Sequence, residues 1–177
     1  MIMIDIETLG TATDTAILSI GAVEFDKTGL GSEFYQVLNV QNQIDTGRSV
    51  TMWTIAWWMK QSKEAQSIMS DDVQDGADYL ASALAELKDA FEWKDTQVWC
   101  YGLNFDIPIL GHAYQGHTPW DFRNTRCLRT ILGDLPEFAK PFVRVKPTLA
   151  HNALEDAKAQ ALTLINIWNL PPGSARV

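Results

Sequence analysis

Ile2-Met3-Ile4-Asp5-Ile6-Glu7-Thr8 is an apolar run that carries two acids, two residues apart. Apolar, β-branched residues in close succession read as a buried strand. A strand repeats every two residues, so Asp5 and Glu7 share one face. Two carboxylates side by side on such a strand repel each other and lose hydration. A divalent cation would remove both costs. The alternative is a strand end that reaches solvent, where acids cost little, and for a bare Asp-x-Glu that alternative is the commoner.

Working outward, Thr15 to Phe25 reads as a second strand, closed by the turn Asp26-Lys27-Thr28-Gly29. Ser32 to Asn39 reads as a third, which makes an antiparallel meander. Helical spacing begins near Thr51, where Trp53 and Trp57 stand on one face and Gln61 follows them. Beyond Asp75-Gly76, Leu80, Leu84, Leu87 and Phe91 mark an amphipathic helix. Gln97 to Tyr101 is a short apolar strand. Asp106 to Tyr114 is helical, with Pro108 in its first turn. Phe122 to Cys127 carries a weak strand signal, and residues 128–133 a short helical one. Ala153 to Trp168 is the last helix, with Leu154, Ala157, Ala161, Leu164 and Trp168 as its buried stripe. This order predicts an α/β domain with a mixed sheet. A single domain spans 1–170, and 171–177, with its Pro-Pro-Gly, is expected to be a loose tail.

The 177 residues, 46% of them apolar, fit one core-forming domain. No apolar run approaches the ~18 residues that span a bilayer, and no signal peptide is expected. The two cysteines, Cys100 and Cys127, make no disulfide framework. A cytoplasmic protein with reduced thiols and no membrane partner is expected, in the host cytoplasm if phage-encoded. The net charge of −8 argues against a protein that coats nucleic acid with a basic stripe. It leaves open an enzyme that grips a strand end, because bound cations reverse the local field.

Three more residues stand at structural junctions. Asp106 sits where a strand hands over to a helix, the kind of crevice in which open α/β sheets bind ligands. It also suits a helix N-cap. His151 and Asp156 are five apart, too far round to meet on one continuous helix. Asn152 as cap, with Glu155 at the third helical position, resolves this: His151 falls in the loop and Asp156 in the first turn. The plain alternative is a solvated first-turn acid beside an ordinary loop histidine.

Taken together, these residues resemble the DEDD exonuclease superfamily in its His-containing branch, built on the ribonuclease H-like fold. Asp5-Ile6-Glu7-Thr8 matches its first motif and Asn104-Phe105-Asp106 its second. His151-Asn152-Ala153-Leu154-Glu155-Asp156 matches its third, His-x-Ala-x-x-Asp. A closer likeness is to DexA-type phage exonucleases and their bacterial exoribonuclease relatives. It is carried by the Trp57-Trp58-Met59-Lys60-Gln61-Ser62 segment, the block from Trp99 to Leu110, and Arg126-Cys127-Leu128-Arg129-Thr130. Cys127 departs from the pattern, standing where those relatives often carry Asp.

The resemblance implies a five-stranded mixed sheet, its first three strands antiparallel, flanked by helices. It implies a 3′→5′ exonuclease that uses two divalent cations, Mg²⁺ or Mn²⁺, and releases nucleoside 5′-monophosphates. Asp5, Glu7, Asp106 and Asp156 would hold the metals and His151 would deprotonate the attacking water. Histidine suits that task because its ordinary pKa is about 6.5. Thr8, Leu9, Trp57, Trp58, Gln61, Asn104 and Phe105 are the expected substrate contacts. One of the two tryptophans is expected in the core and one near the terminal nucleotide, with Trp57 and Gln61 favoured for substrate. The expected partner is the 3′ end of nucleic acid, single-stranded DNA ahead of RNA. A non-catalytic nucleic-acid-binding or polymerase-partner domain of the same fold is the alternative outside enzymes.

Overall fold

In the computed structural model, which describes residues 1–171, β1 (Ile2–Thr8) is the central strand of a five-stranded sheet. β2 (Ile17–Phe25) and β3 (Leu30–Val37) continue antiparallel on one side. β4 (Val98–Cys100) and β5 (Thr125–Cys127) add parallel on the other, giving the order β3-β2-β1-β4-β5. The expected mixed sheet with an antiparallel meander is present. The expected tail beyond Pro171 lies outside the described residues.

Strand ends differ from the sequence reading for local reasons. Thr15 leaves the β2 ladder to bridge Ser49, and its carbonyl accepts from Arg48 Nε at 2.8 Å. β3 stops at Val37 because Asn39 caps α1 (Val40–Asp45), its side chain accepting from the Asn42 amide. Of the weak strand over Phe122 to Cys127, only Thr125–Cys127 pairs; Phe122–Asn124 is a 3₁₀ turn capped by Asp121.

The helices that follow are α2 (Met52–Trp58), α3 (Lys63–Gln66), α4 (Asp71–Asp75) and α5 (Leu80–Ala90), then α6 (Asp106–Ala113), α7 (Leu128–Asp134), α8 (Lys140–Val143) and α9 (Ala153–Trp168). α1, α3, α4 and α8 are too short to carry a readable 3.6-residue period. No helix among the described residues is long and apolar enough to cross a membrane.

The sheet has a core on each face. Ile2, Ile4 and Ile6 of β1 pack with Leu84 and Leu87 of α5 and Ile109 and Leu110 of α6. Met3, on the other face, packs with Ala157, Ala161 and Leu164 of α9. Asp5 and Glu7 continue the row that Met3 begins, so they face α9. A third cluster, Leu9, Leu18, Trp58, Ala65 and Ile68, closes the end of β1.

The α9 stripe is carried mostly by small residues: Ala153, Ala157 and Ala161 are fully buried, whereas Leu154 and Trp168 are half-buried. Small side chains let α9 lie close to the sheet. The approach is tightest at Gly21 in β2, where an added Cβ would stand 2.2 Å from the Ala153 carbonyl carbon and the Leu154 nitrogen. Gly21 pairs with Asp5 across β1 and β2. The start of α9 is therefore pressed onto the sheet beside the acidic pair.

Candidate active site

Five expected residues from three segments line one cleft of about 270 Å³: Asp5, Glu7, Asp106, His151 and Asp156. β1 presents Asp5 and Glu7 on the α9 side. The turn after β4, closed by Phe105 N–H to Gly102 O at 2.9 Å, delivers Asp106 as the first residue of α6. Phe105, and not Asp106, is the cap of that helix, and Asp106 is only 4% exposed. Burial pushes its carboxyl up, opposed by its own N–H, those of Ile6 and Gly102, and the Cys100 thiol. The N-cap alternative therefore does not describe this acid.

At the start of α9, the Asn152 side chain accepts from the Glu155 amide at 3.1 Å. The reciprocal half of the expected capping box is absent among the described residues, because Glu155 turns to Lys158 at 3.2 Å. Asp156 closes the turn in its place, accepting from the His151 N–H at 2.9 Å. That bond accompanies a left-handed His151 backbone, φ +63°, a conformation that costs an ordinary residue about 1–2 kcal/mol. His151 Nδ1 then lies 3.9 Å from Glu7 Oε1. One ligand atom from each of Glu7, His151 and Asp156 falls within 4.8 Å of the others. Asp5 and Asp106 line the same cleft outside that triad.

Gln160 was not anticipated from sequence. Its Nε2 donates to Asp5 Oδ1 at 2.7 Å, and it lines the same cleft. It stands four residues after Asp156, on the same helix face, and that spacing is the signal that marks it.

Burial raises every acid of the cleft. Asp5 is raised well above the usual range by burial, then by Asp106 and Glu7, with Gln160 opposing. Glu7 is pushed from 4.5 to about 8 by burial, then by Asp156 and Asp106. Asp106 is pushed from 3.8 to about 7 by burial, against its hydrogen bonds. Asp156 is raised by burial, with the His151 N–H opposing. Four mutually repelling, half-dried carboxylates form a donor set that a hard divalent cation would satisfy. Oxygen donors of this kind suit Mg²⁺ or Mn²⁺.

The two tryptophans differ in burial. Trp58 is fully buried, and its Nε1 donates to Thr8 O at 2.9 Å. Trp57 is 43% exposed and stands edge-on to His151, with ring centroids 4.8 Å apart. Trp57, Thr8 and Phe105 line a second cleft of about 440 Å³, together with Trp53 and Gly10. Glu7, Ile6 and Phe105 line both clefts, so the two are continuous.

Three expected substrate contacts, Leu9, Gln61 and Asn104, line neither cleft. α2 ends at Trp58, so Gln61 does not share the Trp57 face; its amide donates to Trp57 O and its own carbonyl accepts from Gln66. Leu9 is buried in the third cluster. Asn104 is exposed and lines neither cleft. Cys127 stands at the N-cap position of α7 without a side-chain capping bond, and its thiol donates to Tyr101 O at 3.5 Å. An Asp at that position would act as a helix cap, so the departure falls on the α7 terminus and leaves the four acids intact.

Comparison with known proteins gives a consistent picture. A family model described as the 3′-5′ exoribonuclease Rv2179c-like domain matches residues 1–168. The exodeoxyribonuclease of Enterobacteria phage T4 is 29% identical over 122 residues, covering 61% of this chain and 52% of that protein. The chain thus spans about half the length of that curated relative. Exonuclease X, solved in complex with 5′-overhanging duplex DNA, superposes with a TM-score of 0.63 at 14% identity, over 98% of this chain and 94% of that one. The nuclease domain of 3′hExo, a DEDDh family member bound to rAMP, gives 0.62 at 13% identity, over 94% and 90%. An exonuclease I structure gives 0.66 at 13% identity, over 94% of this chain and 40% of that one. At these identities the structures speak for a shared fold alone, the ribonuclease H-like mixed sheet. With the family model covering nearly its whole length and a matching fold beneath it, the chain belongs to the Rv2179c-like 3′-5′ exoribonuclease domain family.

Proposed function

We propose that this chain is a metal-dependent 3′→5′ exonuclease that removes nucleoside 5′-monophosphates from the 3′ end of single-stranded DNA. The observation that carries it is the convergence of four carboxylates and one histidine from β1, α6 and the start of α9 on one cleft. Two divalent cations bound there would neutralise the acids, polarise the scissile phosphate and activate water.

Asp5, Glu7, Asp106 and Asp156 would hold the cations. Gln160 keeps one oxygen of Asp5 oriented. His151 takes the proton of the attacking water on an imidazole nitrogen. Glu7, 3.9 Å away, is placed to stabilise the imidazolium that results. Trp57, edge-on to the His151 ring, limits its rotation and offers its exposed face to the terminal base. Thr8 and Phe105 complete the cleft that takes the last nucleotide.

DNA is favoured by the similarity to the phage T4 exodeoxyribonuclease. RNA is the second reading, favoured by the description of the family model. The test is degradation of 5′-labelled DNA and RNA oligonucleotides with Mg²⁺ or Mn²⁺, with and without EDTA. A ladder shortening from the 3′ end, abolished by EDTA, is expected. Internal cuts, or activity that survives EDTA, would overturn the proposal, and the faster polymer identifies the substrate.

A further inference from the structure

Residues 123–146 concentrate positive charge in an acidic chain. Arg123, Arg126, Arg129, Lys140, Arg144 and Lys146 stand against only Asp134 and Glu137 there, whereas the whole protein carries −8. Arg123 is paired with Asp121 and Lys140 with Glu137. Arg126 donates to the carbonyls of Arg123 and Thr125. Among the described residues, Arg129, Arg144 and Lys146 make no ion pair. Glu137, held low chiefly by Lys140, feels Arg144 only weakly.

These three cations border one continuous depression. Arg129 lines the acidic cleft and lies over the Tyr101 ring, 4.9 Å from its centroid. Arg144 and Lys146 line a groove of about 560 Å³ between α9 and the α7–α8 segment, floored by apolar residues such as Leu132 and Val145. Tyr101, Asp156 and Gln160 line both the groove and the acidic cleft. The aromatic cleft joins the acidic cleft through Glu7, Ile6 and Phe105. Three compartments therefore connect in series: aromatic, acidic, basic.

Resting on the exonuclease reading, the geometry points to the basic groove as the track for the sugar-phosphate backbone upstream of the bond being cut, with Arg144 and Lys146 as its phosphate contacts. A strand whose last base sits beside Trp57 puts its terminal phosphodiester over the carboxylates. The phosphates before it must leave along a surface that does not repel them, and the rest of this protein is strongly acidic. Free cations over an apolar floor meet both the phosphates and the sugar faces. Arg129 on Tyr101 marks the turn from one compartment to the next, where a cation and a ring can support a base. The groove wall is held by groups other than these side chains. Val145 N–H donates to Thr163 Oγ1 at 2.9 Å, and Asn166 Nδ2 to Val143 O at 3.1 Å. The exposed cations can therefore be neutralised without unbuilding the wall.

The test compares the wild type with the double variant Arg144→Gln/Lys146→Gln. KM is measured on DNA and RNA oligonucleotides of two to twelve nucleotides across salt concentration, and anisotropy reads binding of a labelled 12-mer without turnover. In the wild type KM falls with length. In the double variant the 12-mer KM and Kd rise about tenfold, and the length dependence flattens. Its log–log salt slope drops by about 1.4, the value for two lost single-strand phosphate contacts. The charge-preserving Arg144→Lys/Lys146→Arg variant restores the slope. A double variant with wild-type length dependence and salt slope would overturn the groove assignment while leaving exonuclease activity intact. A wild type that binds the 12-mer through these cations but releases no mononucleotide would overturn the exonuclease reading alone. The DNA and RNA arms show which sugar the groove takes.

Discussion

Gly21 and Ala153 meet main chain to main chain: a Cβ on Gly21 would stand 2.2 Å from the Ala153 backbone. Gly21 is also the cross-strand partner of Asp5. One glycine therefore sets the distance between the β1 acids and the α9 turn that carries His151 and Asp156. Gly21→Ala should push that turn off the sheet. Overpacking of this kind costs about 1–3 kcal/mol of stability, and a displacement near 1 Å costs about 10²-fold in rate. The expected result is a folded protein with activity down by about two orders of magnitude, read by circular dichroism, melting and single-turnover hydrolysis. Near-wild-type turnover in Gly21→Ala would mean that the contact does not align the site.

The acids impose a pH dependence on the metal-free protein. Glu7 is raised to about 8 and Asp106 to about 7, so the folded state favours their protonated forms. Stability from these two groups is fully present below their ordinary values, near 4, and is lost as pH rises through about 7 to 8. In EDTA, Tm should fall between pH 5 and pH 8.5. Mg²⁺ or Mn²⁺ should raise Tm most at the alkaline end, with protons released on binding. Asp156→Asn should abolish hydrolysis and blunt the metal-induced rise, while its metal-free Tm at pH 8 is unchanged or higher. A metal-free Tm that climbs with pH across this range would contradict the electrostatics.

Gln160 gives a milder test, because it holds an acid of the cleft without being one. Removing its amide by Gln160→Leu strips Asp5 of a donor at 2.7 Å. The opposing influence on the Asp5 pKa goes with it, so Asp5 should be harder to ionise. Groups that orient a metal ligand typically cost 10–100-fold in metal affinity or activity when lost. Titration calorimetry should show weaker metal binding, and high metal concentration should restore part of the rate. Loss of turnover with unchanged metal affinity would instead place Gln160 in contact with substrate.

What the sequence revealed, and what it concealed, follows from how local each signal is. The two acids on β1 declare themselves through the two-residue period of a strand. The α9 start declares itself through Asn152, whose cap separates His151 from Asp156. The antiparallel meander followed from three successive strand signals, whereas the order in which β4 and β5 add to β1 is a long-range pairing that no local signal carries. Gly21 was silent because its meaning is a contact with Ala153, far along the chain. The face drawn through Trp53 and Trp57 does not reach Gln61, because the helix stops at Trp58. Leu9 was equally ambiguous, since an apolar residue after the first motif fits a core as well as a ribose contact. The role of Trp58 depended on a hydrogen bond to Thr8 that links residues fifty positions apart.

Trp57 and Trp58 should separate function from stability. Trp58 is fully buried, and its indole N–H satisfies the Thr8 carbonyl at the end of β1. Trp58→Phe keeps most of the ring but leaves that carbonyl unpaired, at about 1–3 kcal/mol. Its main effect should be a lower Tm. Trp57 is 43% exposed and touches His151. Trp57→Ala should leave Tm nearly unchanged. Loss of base stacking worth about 1–3 kcal/mol should raise the KM for a single strand by about 5- to 150-fold. Because the Trp57 ring also borders His151, kcat should fall as well, and Trp57→Phe should recover kcat more fully than KM. Should Trp57→Ala melt early with an unchanged KM, both tryptophans would be core residues and the terminal base would have to stack elsewhere.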